Sequence, residues 1–233
     1  RRCVLSMWDP DSDLTSGNHN VDLPCNTHIY FRVEETGSLV PDVLHMTVCN
    51  RSNDMIWGAL GANAVHMSFL QEYMAEMVGV EVGTYVQFSN NFHAYLDTLP
   101  KLDGMAADYE PYLHLPEEGK TPVPLVTDTE TFEEELVYFM TDKEPMVQRG
   151  YDYLNDIFPY VAEPMREAWQ FWKSPTKEVG KAIQAAEKIQ SADWRVACCE
   201  WLQRRVPMRH EMNTLAPEEE WGCASAQKPK EGK

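Results

Sequence analysis

Cys49-Asn50-Arg51-Ser52-Asn53-Asp54, continuing through Gly58 and Gly61 to Asn63, follows the apolar run 44–48 and precedes a segment with helical periodicity. An arginine, a hydroxyl, a carboxylate and several amides therefore fall at a strand-to-helix seam, the kind of place where a rigid scaffold presents reactive side chains. Gly58 and Gly61 allow the backbone to turn tightly and to approach a ligand. The same residues equally suit a structural turn in which Asn, Ser and Asp cap the helix that follows. The stretch alone leaves both readings open, and a second motif has to separate them.

Upstream, residues 3–8 (Cys-Val-Leu-Ser-Met-Trp) read as a short strand closed by the turn Asp9-Pro10-Asp11. Residues 25–33 alternate through Thr27, Ile29, Phe31 and Val33, so Cys25 opens a strand behind Pro24, which fixes the backbone leading into it. An insert at 34–42 joins it in hairpin fashion to a strand at 43–50. Downstream, residues 63–78 set Val65, Phe69, Tyr73 and Met77 on one i, i+4 stripe with Met67, Leu70 and Met74 beside it, the wide apolar face of a buried helix. Residues 80–89 read as a further strand, beyond which His93 and Tyr95 lie two apart, on one side of an extended backbone.

Past residue 100 the texture changes. Residues 101–130, rich in Pro, Gly and acid, predict a linker. Thr131 with Glu134 forms a capping-box signature, and further helices are expected over 148–158, 162–172, 176–190 behind Pro175, and 192–205 behind Ser191 as cap. The last carries Trp194, Cys198, Trp201 and Leu202 as its buried stripe. The expected division is thus an α/β (α+β) unit at 1–100, in which a mixed sheet packs a buried helix, a linker at 101–130, a helical region at 131–206 and a polar, disordered tail at 207–233.

With 43% hydrophobic residues in 233, the chain can bury one sizeable core or two small ones. A formal net charge of −17 argues against nucleic acid or an anionic membrane as the main partner, because both repel it at long range. No apolar run is long enough to span a bilayer and no leader is visible, so a cytoplasmic protein is expected. Six irregularly spaced cysteines without a Cys-x-x-Cys favour free thiols, and with seven scattered histidines they suggest no metal site. The chain begins at Arg1 and enters an apolar run at once, so part of the fold is expected upstream.

The second motif comes from Cys25 taken with Arg51. A cysteine is inert unless its thiolate is stabilised, and an arginine at a neighbouring strand end is one group able to do so. Arg51 and Ser52 also suit a phosphate, His93 and Tyr95 a sugar hydroxyl, and Asn63 a base edge carrying one donor and one acceptor. Together they describe a nucleotide site containing a nucleophile.

Arg1-Arg2, Pro24-Cys25, Arg51-Ser52-Asn53-Asp54, Asn63 and His93-Ala94-Tyr95 resemble, in order and spacing, the motifs of the thymidylate synthase family. The wording of residues 50–54 and 61–68 is most similar to the branch carried by bacteriophages, whose cytoplasmic site of action would be that of the host. The resemblance implies that Cys25 attacks C6 of a pyrimidine deoxynucleotide monophosphate, whose C5 then captures a one-carbon unit from 5,10-methylenetetrahydrofolate. It implies Arg51 and Ser52 at the 5′-phosphate, joined by Arg1 and Arg2 from the other subunit of a homodimer, Asp54 at the folate, His93 and Tyr95 at the ribose, and Asn63 at the base.

Conversion of deoxyuridylate to thymidylate is the expected reaction. Hydroxymethylation of deoxyuridylate or deoxycytidylate is the alternative, and a non-catalytic nucleotide-binding protein on the same scaffold is a further one. Asn26 stands where the synthases usually have His, and Asn50 and Asn53 where they usually have Gln and Cys. Counting forward from Asp54 puts the base-reading position on Ala62, and counting back from His93 puts it on Asn63; with one residue inserted in the glycine turn, Asn63 is preferred and favours uracil over cytosine.

Overall fold

Ile29, Phe31 and Val33 on one segment, and Leu44, Met46 and Val48 on the next, recur every second residue, and this period of two builds the centre of a sheet. The computed structural model describes residues 2–13, 23–37, 39–102, 122–141 and 152–205. It contains β1 (Arg2–Ser6), the one-turn helix α1 (Pro10–Asp13), β2 (Asn26–Glu34), β3 (Val43–Asn50), β4 (Asn53–Asp54), α2 (Asn63–Val78), β5 (Glu81–Ser89) and β6 (Phe92–His93). Strands run in the order β1-β2-β3-β5, antiparallel at the first two pairings and parallel at β3-β5, while β4 and β6 form a small parallel pair beyond the strand ends. The sheet is mixed, as the alternation and the intervening helix led one to expect.

One face of the sheet buries Ile29, Phe31, Leu44, Met46 and Val48 against Met67 and Ala75 of α2. Each such side chain contributes about 1.5–3 kcal/mol on full burial. On the other face, described side chains stand exposed. The register aligns Val4, Tyr30, Thr47 and Val86 in one row and Ser6, His28, Cys49 and Phe88 in the next, and Val4, Tyr30, Val86 and Phe88 are all exposed.

Of the apolar face expected on α2, Met67, Leu70 and Met74 do pack against the sheet core, but the i, i+4 stripe of Val65, Phe69, Tyr73 and Met77 is not its centre. Val65 and Met77 are each 39% exposed, whereas Met67, Gln71 and Ala75 are buried. Gln71 decides the rotation of the helix. Its Nε2 donates to the Leu44 and Gly83 carbonyls at 2.8 and 3.1 Å, where the β3-β5 register shifts and sheet carbonyls are left to satisfy. Tyr73, from the expected stripe, instead packs on Phe132 of α3 (Phe132–Thr141) and donates to Glu133 at 2.8 Å.

Among the described residues, 2–102 and 124–141 form one compact unit, and 122–123 with 152–205 belong to a second. Helix α3 therefore groups with the sheet, whereas the expected division assigned it to the helical region from 131. The second unit contains α4 (Glu163–Lys173), α5 (Val179–Ala186) and α6 (Ala192–Gln203). The helix expected over 148–158 is not formed in its described part. Residues 152–156 are irregular, and a π-helical turn starts at Phe158 with Pro159 in its first positions, where a missing N–H is tolerated.

Helix α5 is shorter than the expected 176–190, because Lys177 adopts φ +46° in a turn closed on the Ser174 carbonyl. At its other end Gln190 N–H leaves the helix to bond the Tyr160 carbonyl at 2.9 Å. Ser191 does not cap α6 through its side chain; its hydroxyl donates to the Asp193 carboxylate. On α6 the buried residues are Cys199 and Leu202, and partial burial pushes the neighbouring Cys198 thiol up. The tail 207–233, Arg1 and most of the linker 101–130 lie outside the described residues.

Tyr85 packs against the core under the sheet, and its hydroxyl is buried without a hydrogen-bond partner. Desolvation pushes its phenol up to about 12. The folded chain thus favours the neutral phenol, so this group's stabilising effect holds below the ordinary tyrosine value of about 10 and is lost as pH rises towards about 12. Tyr85→Phe is expected to leave neutral-pH stability unchanged or raise it by up to about 1 kcal/mol, since it removes an unsatisfied hydroxyl. It should also flatten the alkaline loss. Urea unfolding at neutral and alkaline pH measures both effects, and equal alkaline losses in the two proteins would refute the assignment.

Candidate active site

Strand β3 ends at Asn50, and the chain there turns across the ends of its neighbours. The Arg51 N–H bonds the Cys25 carbonyl at 2.9 Å, which ties the seam to the loop entering β2. The Arg51 guanidinium goes to the same loop. Nε donates to the Pro24 carbonyl at 3.0 Å and Nη2 to the Leu23 carbonyl at 3.0 Å. Trp8, just beyond β1, donates its indole N–H to the Pro24 carbonyl at 3.2 Å and lies under the guanidinium at 5.7 Å from the ring centroid. Cys25 is half-buried, at the bend directly before β2. The Arg51 guanidinium thus grips the two peptides before Cys25 by their carbonyls.

Residues 53–54 pair in parallel with 92–93, bringing the expected ribose residues to the same seam. Ser52 Oγ and the Asn91 carbonyl lie 3.5 and 3.4 Å from His93 Nδ1, so a proton on that nitrogen can serve either. Tyr95 meets the His93 ring edge-on at 5.2 Å and is exposed.

Asp54 does cap the following helix, as the structural reading of the seam allowed. Its Oδ1 accepts from Ile56 N–H at 3.0 Å and Trp57 N–H at 2.5 Å. That accounts for only half of the carboxylate, because Oδ2 is buried with no hydrogen-bond partner. The helix it caps, Met55–Ala62, is π-wound and breaks at Gly61 (φ −117°, ψ −123°) before α2 begins. A π-turn holds one residue more than an α-turn, and it is Asn63 rather than Ala62 that delivers an amide to the seam: its Nδ2 donates to Asn53 Oδ1 at 3.1 Å.

Sequence reasoning marked Asn26, Asn50 and Asn53 as departures and gave them no task. The first two bond each other, and the third joins a separate set. Asn26 Nδ2 donates to Asn50 Oδ1 at 2.8 Å, and Asn50 Nδ2 to the Phe88 carbonyl at 3.3 Å. Asn53, only 1% exposed, donates to Gln87 Oε1 and Ser89 Oγ, each at 3.1 Å, while it accepts from Asn63. Gln87 and Trp8 went unread because neither lies in a motif, and only strand pairing brings them here.

Of the two sequence-expected arginines at the start of the chain, Arg1 lies outside the described residues, and only the backbone of Arg2, in β1, is described. Among the described residues no group of three or more His, Cys, Asp or Glu side chains is gathered that could hold a metal ion. Among the same residues no helix is long and apolar enough to cross a membrane.

A cysteine, an Arg-Ser pair, a His-Tyr pair and an asparagine thus gather at the strand ends of a mixed sheet backed by one helix. Residues 1–145 match the family model described as thymidylate synthase, and the chain belongs to that family. It is 41% identical over 215 residues to the deoxyuridylate hydroxymethyltransferase of Pseudomonas phage M6, covering 88% of this chain and 58% of that protein. It is 38% identical over 97 residues to the deoxyuridylate hydroxymethyltransferase of Bacillus phage SP01, covering 42% of this chain and 24% of the relative. It is 36% identical over 96 residues to the thymidylate synthase of Streptococcus mutans, covering 41% and 32%. The chain spans little more than half the length of the first of these relatives and less of the others.

A Cβ on Gly58 would stand 2.1 Å from Asn53 Oδ1 and 3.1 Å from Asn63 Nδ2, so the asparagine pair needs the glycine's bare backbone. Gly58→Ala is expected to destabilise the fold by about 1–3 kcal/mol through overpacking. Denaturant unfolding of the two proteins checks this, and an unchanged midpoint would mean that the seam relaxes freely.

Proposed function

We propose that the protein transfers a one-carbon unit to C5 of deoxyuridylate, with Cys25 as the nucleophile. The observation that carries this is the convergence on one seam: the Arg51 guanidinium holds the two peptides before Cys25 and its N–H holds the Cys25 carbonyl, while Ser52, His93 and Asn63 reach the same seam.

C5 of uracil is a poor nucleophile. When the Cys25 thiolate adds to C6, an S–C6 bond forms and the ring's electron pair moves to C5 and the C4 carbonyl oxygen, which lets C5 form the new carbon–carbon bond. Loss of the C5 proton would then release the one-carbon unit from its carrier nitrogen and leave an exocyclic methylene on C5; hydroxide or hydride adding to that methylene returns an electron pair through C5, which expels the Cys25 thiolate from C6 and restores the ring. Two of the five guanidinium N–H donors of Arg51 are engaged on the Leu23 and Pro24 carbonyls, and the remainder, with the Ser52 hydroxyl, suit the 5′-phosphate. Arg1 and Arg2 of a second copy of the chain would join them. A homodimer is supported by the sheet face on which Val4, Tyr30, Val86 and Phe88 are exposed in register. His93 and Tyr95 suit the ribose hydroxyl, and Asn63 suits the base.

Methylenetetrahydrofolate, when bound, supplies the one-carbon unit. The residues present fit it: the unpartnered, buried Asp54 Oδ2 is an acceptor awaiting a donor such as the amino-pyrimidinone edge of a pterin. Trp57 and Leu60 stand exposed on the turn that Asp54 caps and would lie against an apolar ring system.

The product is read as the hydroxymethyl nucleotide. The similarity to the phage M6 hydroxymethyltransferase runs over 88% of this chain and so extends into the helical region beyond the family match. A methyl product is the second reading, supported by the thymidylate synthase relative. Water addition leaves tetrahydrofolate, whereas hydride transfer leaves dihydrofolate, so the folate product separates the two.

Incubation of the protein at its full natural length with 5-fluorodeoxyuridylate and methylenetetrahydrofolate is expected to give a covalent adduct on Cys25. Fluorine at C5 cannot leave as a proton does, and the intermediate stays on the sulfur. Intact-mass and peptide mapping should find the adduct in the wild type and none in Cys25→Ser. Nucleotide binding without any adduct would favour a non-catalytic protein on this scaffold.

A further inference from the structure

The amide side chains at the strand ends form a chain of bonds with a single allowed direction. It starts at the Ala59 carbonyl, which can only accept, so Gln87 must present Nε2 to it, at 3.0 Å. Gln87 Oε1 then faces Asn53 and accepts from its Nδ2 at 3.1 Å. Asn53 Oδ1 is left to accept from Asn63 Nδ2, also at 3.1 Å. The orientation of Asn63, which the amide's own shape does not fix, is thereby set by a backbone carbonyl three bonds away.

Turning Asn63 over would set its oxygen against Asn53 Oδ1. Relieving that contact requires Asn53 to turn, then Gln87, and the mismatch ends as two oxygens facing each other at Ala59. Ser89, the other acceptor on Asn53, can donate or accept and imposes no direction. We propose that Gln87 and Asn53 are positioning residues that set the pyrimidine preference. They hold Asn63 with its oxygen and one remaining N–H free, the complement of a ring N–H beside a carbonyl, as in uracil. Cytosine offers a bare ring nitrogen beside an amino group and needs the inverted amide. The inference rests on the reading of Asn63 as the base-binding residue.

The test is calorimetric binding of deoxyuridylate and deoxycytidylate to the protein at its full natural length and to variants, with thermal melting to confirm folding. Gln87→Met keeps the side-chain length and breaks the relay two residues away from the base-contacting Asn63; Asn53→Ala breaks it at the next link and serves if the first variant does not fold. Either is expected to reduce the uracil-over-cytosine ratio by roughly tenfold or more, mainly by tightening deoxycytidylate. Ser89→Ala, which leaves the direction intact, should keep the wild-type ratio.

Parallel weakening of both nucleotides with the ratio preserved would overturn the proposal, because that is what loss of packing alone produces. Asn63→Asp separates the two levels. If it shifts the ratio while Gln87→Met does not, the relay is refuted and the base reading stands. If it leaves the ratio unchanged, Asn63 does not read the base and the proposal falls with it.

Discussion

Asn53 sits 1% exposed in β4, three residues past the end of β3, with two N–H donors and an acceptor to satisfy, and the geometry of the seam follows from that demand. Gln87 and Ser89 on β5 take the donors and Asn63 at the start of α2 supplies the acceptor's partner. Three elements are thereby held by one side chain. Gly58 has no Cβ because one would strike Asn53 Oδ1, and the helix is π-wound before Asn63. In a low-dielectric setting each bond of such a network strengthens its neighbours, while one unmade bond is expensive, so the arrangement tends to be all or none.

The same rule governs the loop before β2. The Pro24 carbonyl takes two donors, from Trp8 and from Arg51, and the Arg51 backbone fixes the Cys25 carbonyl. Proline contributes no N–H of its own there and holds its φ, so residues 23–25 are tied down by their carbonyls and a half-buried thiol sits at their end. Away from the seam, Gln71 performs the equivalent service for the sheet, turning α2 until its amide reaches the carbonyls at the β3-β5 register shift.

The strands at 43–50 and the helix at 63–78 were legible because their periods of two and 3.6 are uninterrupted, and β3 and α2 occupy those bounds. The centre of the α2 face was misread because hydrophobicity ranks Val65 and Met77 above Gln71 and cannot register carbonyls waiting on the sheet. In the second unit, the turn at Lys177 and the early proline at 159 shifted helix ends, since local turn geometry competes with propensity at every terminus. The candidate site was legible as residue types in order along the chain. The coupling of Asn26 with Asn50, and of Asn53 with Gln87 and Asn63, was not, because each pair is joined only after β2, β3 and β5 have set their register.

By itself, then, the sequence determined which chemical groups this protein has and which side of each strand they fall on, because alternation and helical period are properties of the chain alone. Family membership is of the same kind, carried by ordered motifs within residues 1–145. Only the tertiary structure decided the direction of the amides and the half-satisfied state of the Asp54 carboxylate. The reason is physical: a hydrogen bond has a donor and an acceptor at a distance and an angle, and both are set by segments dozens of residues apart that meet only in the folded chain.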